Sequence, residues 1–487
     1  MLNKYRCACL LILLFHFPPA HLSASNLDST DMQFEEISDD SRIDPFENPI
    51  DIEKGKSAAL SFFGKPLFLF IETQFDSEFM GNYKLGDSAS GDTLEVEPAL
   101  SLALLYRLGE KTTLFLENEL QYHYELMTER DPSSEQWVFE RVESWILFQD
   151  IIGSGISLQL GRQTYEDERQ WWWDEQLDSV RLHFDRGGVH SEIAVARELA
   201  AESNEKDIFG PEDKDILRFL GQTVWGNNEE MQYGLFALYQ LDRSNQPQIG
   251  NLTRASKADE IDADLFWYGG RMTGAIDTED VGAFFYWIDA AGVTGNETQF
   301  EFEKTENAYL QVTDIIKRDV SGWGYDVGIN WETGRFNDMV LSLGYAWGSG
   351  DRNPDDQKNN SFRQTGLNEG DQRFQYYGEL LNPDLSNLQI VTASIGFPLG
   401  PEGFIDFIYH NYRQDHPADF LWRSDLEADP EGVRTFIGEE WNIAFTFEGK
   451  KGLEIETSAA YFKAGNAFGD LSNSSAYRLK FEINYLF

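Results

Sequence analysis

Apolar and polar residues alternate one for one along much of the chain. In TTLFLENELQYHYEL, residues 112–126, Leu114, Leu116, Leu120, Tyr122, Tyr124 and Leu126 share one face. Glu117, Glu119, Gln121, His123 and Glu125 share the other. Further on, Val180, Leu182 and Phe184 oppose Ser179, Arg181, His183 and Asp185, and Trp441, Ile443, Phe445 and Phe447 oppose Asn442, Ala444, Thr446 and Glu448. The chain ends on AYRLKFEINYLF, where Tyr477, Leu479, Phe481, Ile483, Tyr485 and Phe487 face one way and Arg478, Lys480, Glu482 and Asn484 the other, with Leu486 the exception. A period of two predicts strands with one apolar and one wet face. Many segments run about ten to sixteen residues, long for a sandwich and suited to tilted membrane-spanning strands. Charges deep in the wet faces suit a water-filled lumen. The fold class predicted is all-β, a closed transmembrane antiparallel barrel.

Counting segments gives about eighteen strands. They begin near residues 66, 92, 111, 136, 155, 176, 188, 216, 231, 262, 279, 320, 337, 388, 402, 437, 452 and 474. The connections between them alternate in length. Short ones fall at Gly109-Glu110, Gly153-Ser154, Gly187-Gly188, Asn227-Asn228, Asp277-Thr278, Arg335-Phe336, Gly400-Pro401 and Lys450-Lys451. Long ones are read at 81–91, 201–215, 244–261, 292–319, 350–387 and 416–436. Short periplasmic turns and long extracellular loops are the pattern of outer-membrane barrels, and an even strand number leaves both termini on the short-turn side.

The first residues change the picture of the start. Lys4 and Arg6, the apolar run Leu10 to Phe17, and Ser23-Ala24-Ser25 form a secretory signal, so residues 1–24 are expected to be removed. Residues 25–57 are acidic and poor in apolar side chains and are expected to be a mobile lead segment, with the barrel spanning 58–487. Both cysteines, Cys7 and Cys9, lie in the signal, so the mature chain is expected to have no disulfide or Cys-ligated metal. The formal charge of −45 repels nucleic acid. Much of the acid is read as lying in outer loops such as AESNEKDIFGPEDKD and SDLEADPEG, where it is screened by salt and able to bind calcium.

Two stretches carry more than barrel pattern. One is LGRQTYEDERQWWWDEQLDSVRL, residues 160–182. The other is YAWGSGDRN, residues 345–353, continuing to FRQTGLNEGDQRFQYYGELLNPDLSNLQIVT, residues 362–392. Together they resemble the alginate export family of outer-membrane proteins. The terminal aromatic Phe487 resembles the signal read by the barrel-insertion machinery. The family resemblance implies a monomeric barrel of eighteen strands in the bacterial outer membrane, passing a linear polyuronate outward through an arginine-lined lumen. It implies an anionic polysaccharide, outer-membrane lipid and periplasmic export components as partners, and no cofactor.

Arginine presents planar, permanently charged donors to a carboxylate, so arginines in these blocks are the candidate substrate contacts. Arg181 alternates with the apolar face and points to the lumen. Arg162 shares parity with Ile156, Leu158 and Leu160, so it lies beyond the apolar band or a bulge turns it inward. Arg363 and Arg373 lie on a long loop able to fold into the pore, and Arg413 ends a strand near the loop side. Asp351 and Glu379 match acidic family positions as partners of these arginines or of a cation. For each arginine a lumen ion pair that only holds the wall is the competing role. Trp171-Trp172-Trp173 is read as aromatic girdle or loop packing rather than a sugar platform. The alternative function is a porin for small anionic solutes. The mature chain keeps only His123, His183, His190, His410 and His416, with no HExxH spacing and no GxSxG elbow, so an enzyme is not expected and no metal site is assigned.

Overall fold

In the computed structural model, residues 58–86, 92–127, 136–151, 153, 155–167, 169–204, 216–227, 231–242, 247–254, 258, 261–278, 281–305, 309–334, 338–354, 356–367, 377–449 and 452–487 are described. The barrel is built within the unit Pro45–Phe487, distinct from Met1–Asp44. The signal, the whole lead segment and Arg373 lie outside the described residues.

Eighteen long strands close into one antiparallel barrel. They are β1 Lys65–Gly81, β2 Thr93–Gly109, β3 Thr112–Met127, β4 Gln136–Phe148, β5 Ile156–Glu166, β6 Asp174–Arg186, β7 Val189–Ala196, β8 Ile216–Asn227 and β9 Met231–Asp242. Next come β10 Ile261–Thr278, β11 Gly282–Lys304, β12 Tyr309–Glu332, β13 Val340–Gly348, β14 Leu388–Pro398, β15 Gly403–Gln414, β16 Phe436–Gly449, β17 Leu453–Ala464 and β18 Ser475–Leu486. Each pairs with its neighbour in sequence. β1 pairs with β18 from Glu72↔Leu486 to Gly81↔Tyr477, so the sheet closes on itself and the barrel wall has no free edge. Three short strands lie beside the wall, Ala58–Phe62, Leu252–Arg254 and Lys358–Asn359.

The outward face is apolar and open. Ile71, Leu102, Leu116, Val180, Ile193, Leu235 and Leu479 are all exposed large apolar side chains on it. In water such a belt invites aggregation, whereas lipid is the solvent it fits. Leu486 explains itself in the register. It points inward and packs with Phe68 against Phe70, Phe115, Trp145 and Leu147, an apolar lining at the turn end of the bore. Phe487 donates its backbone N–H to Ile71 O at 2.9 Å, holding the chain end in the wall.

One expected loop is strand. Residues 292–319 do not form a long connection: β11 continues to Lys304 and β12 starts at Tyr309, paired throughout with one bulge at Glu301/Phe302. Both faces are wet above the membrane rim, so the apolar alternation stops there while the hydrogen-bond ladder does not.

Candidate functional site

Two connections on the long-loop side fold into the bore. The first, residues 167–173 between β5 and β6, carries the tryptophan run. Asp167 starts it by accepting the backbone N–H groups of Trp172 at 2.7 Å and Trp173 at 3.1 Å, which turns the chain inward. Trp172 and Trp173 are each 1% exposed. Trp172 stacks on Phe236 at 4.9 Å and lies on the wall at Gly269, where a Cβ would sit 2.7 Å from its ring. The run is therefore loop packing inside the barrel and not an outer girdle.

In the second connection, between β13 and β14, residues 356–367 lie along β12 and residues 377–387 lie against the far wall. Phe362 packs on Trp171 at 6.1 Å, and Trp267 Nε1 donates to Arg363 O at 2.9 Å. Glu440 on β16 accepts the backbone N–H groups of Leu380 at 3.0 Å and Leu381 at 2.9 Å. Tyr412 donates to Tyr377 O at 2.7 Å. Gly378, at φ +115°, passes so close that a Cβ would meet Tyr412 Oη at 2.1 Å. Ordered inward loops of this length are where barrels narrow.

The loops meet over an ion network. Arg169 reaches Asp289 Oδ2 at 2.6 Å and Asp326 Oδ2 at 3.2 Å. Arg271 holds the other Asp289 oxygen at 2.6 Å and also pairs with Asp167. Tyr377 donates to Asp326 at 3.0 Å and receives the Trp171 indole N–H at 2.8 Å. Burial works against the Arg169 charge, and Asp326 and Asp289 more than offset it, so its pKa lies above the ordinary value. Beneath, the guanidinium lies 4.5 Å from the Trp287 ring. That ring lies flat on the wall because Gly328 opposite has no side chain; a Cβ there would be 2.0 Å away. Arg169, Trp287 and Tyr377 thus roof a cavity of about 800 Å³. Its lining includes Phe285 and Phe404 and the hydroxyls of Thr273, Ser342, Thr392 and Thr446, from the turn-side part of β10–β16.

The residues singled out from sequence separate. Arg181 is inward but buried, bound twice to Glu192, donating to Thr164 O at 2.9 Å and stacked over Tyr165 at 4.4 Å. Arg162 keeps its outward parity, opposite Asp178, with no bulge to turn it. It fills the seam where β4 leaves β5, donating to Val142 O at 3.1 Å and pairing with Glu202 at 3.0 Å. Arg363 is in the inward loop, paired with Glu297 and 5.0 Å from the Trp422 ring. Arg413 is exposed on the outward parity, over Phe436 at 5.3 Å. Asp351 accepts from Asn353 N and Asn360 Nδ2, each at 3.3 Å, and shapes its own loop. Glu379 accepts from Ser458 Oγ at 2.8 Å and helps dock the second loop on β17. Arg169, Arg271, Asp289 and Asp326 were not singled out. The one available signal was two aspartates on inward parity in the middle of strands, in YWIDAAG and GYDVG.

The acid is not confined to outer loops. Glu72, Asp76 and Glu78 of β1, Glu95 and Glu97 of β2, Glu117 and Glu119 of β3, and Glu456 and Glu482 of β17 and β18 all share the inward parity. Arg478, pairing with Glu78 at 2.7 Å and Asp425 at 2.9 Å, and Lys480 stand among them. The bore is therefore two-sided, acidic along β1–β3, β17 and β18, and rich in hydroxyls and aromatic rings along β10–β16.

The alginate export family model matches residues 71–481. The chain belongs to the alginate export family. It is 24% identical over 367 residues to alginate production protein AlgE of Pseudomonas aeruginosa, covering 69% of this chain and 72% of that protein. Among solved structures it resembles OccK5 of Pseudomonas aeruginosa, at a TM-score of 0.53 and 8% identity over 86% of this chain and 98% of that one. OccAB1 of Acinetobacter baumannii is similar at a TM-score of 0.53 and 8% identity, over 86% and 96%. These likenesses show the fold, a closed antiparallel β-barrel. Membership of the alginate export family makes this chain a channel of the outer membrane and not an enzyme.

Proposed function

We propose that this alginate export family barrel carries an anionic exopolysaccharide, alginate or a related polyuronate, from periplasm to exterior. The observation that carries the reading is the roofed cavity. Its lining is drawn from the turn-side part of the strands, which in outer-membrane barrels faces the periplasm. Aromatic faces beside hydroxyls suit the apolar and polar faces of a sugar ring. Arg169 in the roof is a fork already matched to two carboxylates, so a uronate carboxylate can trade places with Asp289 or Asp326 at small net cost. Weak, replaceable contacts let a polymer advance. The chain would run along β10–β16, while the acidic wall opposite holds small cations that screen it. Periplasmic components that deliver the polymer belong to the same proposal.

The test is current block of the purified protein in planar bilayers. Oligouronates added on the turn side should interrupt the current, and neutral oligosaccharides of equal length should not. Equal block by both would point to a pore without a uronate path. Free passage of small anions with no block by oligouronates would favour a porin for small solutes.

A further inference from the structure

The inner wall holds a second cluster, away from the roofed cavity and with no part in the proposed polymer path. His183 and Asp185 on β6 face Glu192 and His190 on β7, two rungs apart and so on one face, next to the turn at Arg186–Val189. His190 Nδ1 lies 2.5 Å from Asp185 Oδ1, and its Nε2 lies 2.8 Å from Glu192 Oε1. His183 Nδ1 lies 3.1 Å from the same Glu192 oxygen, and its Nε2 lies 3.2 Å from Gln159 Oε1. All four ring nitrogens therefore face oxygen acceptors, and the two inner ones share a single oxygen.

With the Gln159 oxygen turned to His183, protons alone satisfy this arrangement only if both rings are doubly protonated. Two imidazolium rings would then stand 6.0 Å apart, beside the Arg181 guanidinium bound to the other Glu192 oxygen. Three cations would then share the buried Glu192, with Asp185 beside His190 and Glu143 near Arg181 as the other carboxylates. A divalent metal carries the same two positive charges but bonds directly to the two inner nitrogens and the shared oxygen, so all four ring nitrogens gain matched partners. It takes the place of the two inner protons, leaves both rings neutral, and gives Glu192 a stronger partner. The outer N–H groups then donate to Asp185 and Gln159, the outer contacts that fix the tautomer of a metal-bound histidine. One nitrogen from each ring and one Glu192 oxygen already lie within 4.8 Å of one another.

We propose that His183, His190 and Glu192 form a binding site for a divalent transition metal, with zinc the ion best suited. Two imidazoles and one carboxylate are a borderline donor set, and zinc takes it with one position left for water. His183 is buried, while Asp185 is about a third exposed and gives the ion a way in from the bore (32% for its side chain). The ion would clip β6 to β7 at the periplasmic rim.

The experiment is calorimetric titration of zinc into detergent-purified, chelator-treated protein, with circular dichroism confirming that each variant keeps its β signal. The native chain should take up one ion at this site. His190→Gln and His183→Asn should each abolish that uptake or weaken it by more than tenfold, Asp185→Asn should weaken it by about 10- to 100-fold, and His123→Gln should leave it unchanged. X-ray absorption at the zinc edge should show imidazole scattering from two rings. No saturable uptake by the folded native protein, uptake indifferent to both histidine substitutions, or an oxygen-only zinc environment would each overturn the proposal.

Discussion

Replacing Arg169 with alanine removes the cation that the first inward loop presents to the cavity while leaving the loop's main anchors in place. Trp172 and Trp173 stay buried, and Asp167 keeps both of their backbone N–H groups and its pair with Arg271. Asp326 keeps the Tyr377 hydroxyl at 3.0 Å and the Trp287 indole at 2.8 Å, and Asp289 keeps Arg271. The loop should therefore remain docked and the open-channel conductance change by less than about twofold. What changes is charge. A uronate carboxylate roughly 6 Å from Arg169, at an effective dielectric near 20, loses about 3 kcal/mol of attraction when the cation goes. Water in an open cavity cuts that to about 1.4–2.7 kcal/mol, which weakens oligouronate block by about 10- to 100-fold. Arg169→Lys keeps the charge and loses the fork, so it should fall between. Planar-bilayer recordings of block against oligouronate concentration read this directly. Native-strength block in Arg169→Ala would take Arg169 off the polymer's path. A several-fold jump in conductance would show that the arginine, and not the aromatic packing, holds the loop.

Three further outcomes rest on other contacts. Gly328→Ala puts a methyl where the Trp287 ring lies, 2.0 Å from it, so Trp287 must swing into the bore; conductance should drop and Trp287→Ala in the same background should restore it. Glu440→Leu leaves the backbone N–H groups of Leu380 and Leu381 buried without their acceptor, a loss of about 2–6 kcal/mol for the two together, and residues 377–387 should become open to protease while the barrel stays folded. Burial pushes the Asp384 carboxyl from 3.8 up to about 7, with Arg363 pulling it down. A raised carboxyl holds its proton in the docked loop, so docking is strongest in acid and weakens as pH rises towards about 7; hydrogen exchange over residues 377–387 should speed up across that range, and Asp384→Asn should flatten the change.

Much of the wall was legible in the sequence, because lipid and water on opposite faces force a strict period of two. Among the described residues, the turns at Gly109-Glu110, Gly187-Gly188 and Gly400-Pro401 and the closing strand fall where alternation and Gly-rich turns put them, whereas Asp277 and Thr278 are the last paired rungs of β10 and not a turn. The other exceptions share a cause. Above the rim both faces of β11 and β12 are wet, and the residues 292–319 lose the apolar signal although they remain paired. Arg162 kept its predicted parity, yet the reason a buried arginine can stand there, the seam with β4 and Glu202, requires the fold. Arg181 was read correctly as inward, but its Glu192 partner comes from the next strand's register. The loops were the least legible. Nothing local says that 167–173 and 349–387 turn into the bore, because Arg169 meets Asp289 and Asp326 only through pairings 120 and 157 residues away.

The most direct test of an outward path for polyuronates is release from proteoliposomes. Vesicles loaded with oligouronates, or with neutral oligosaccharides of the same length, are compared with and without the purified barrel. The two-sided bore predicts barrel-dependent escape of the uronates, faster than that of the neutral chains and slowed by Arg169→Ala. Retention of the uronates while neutral chains or sodium leave freely would contradict it.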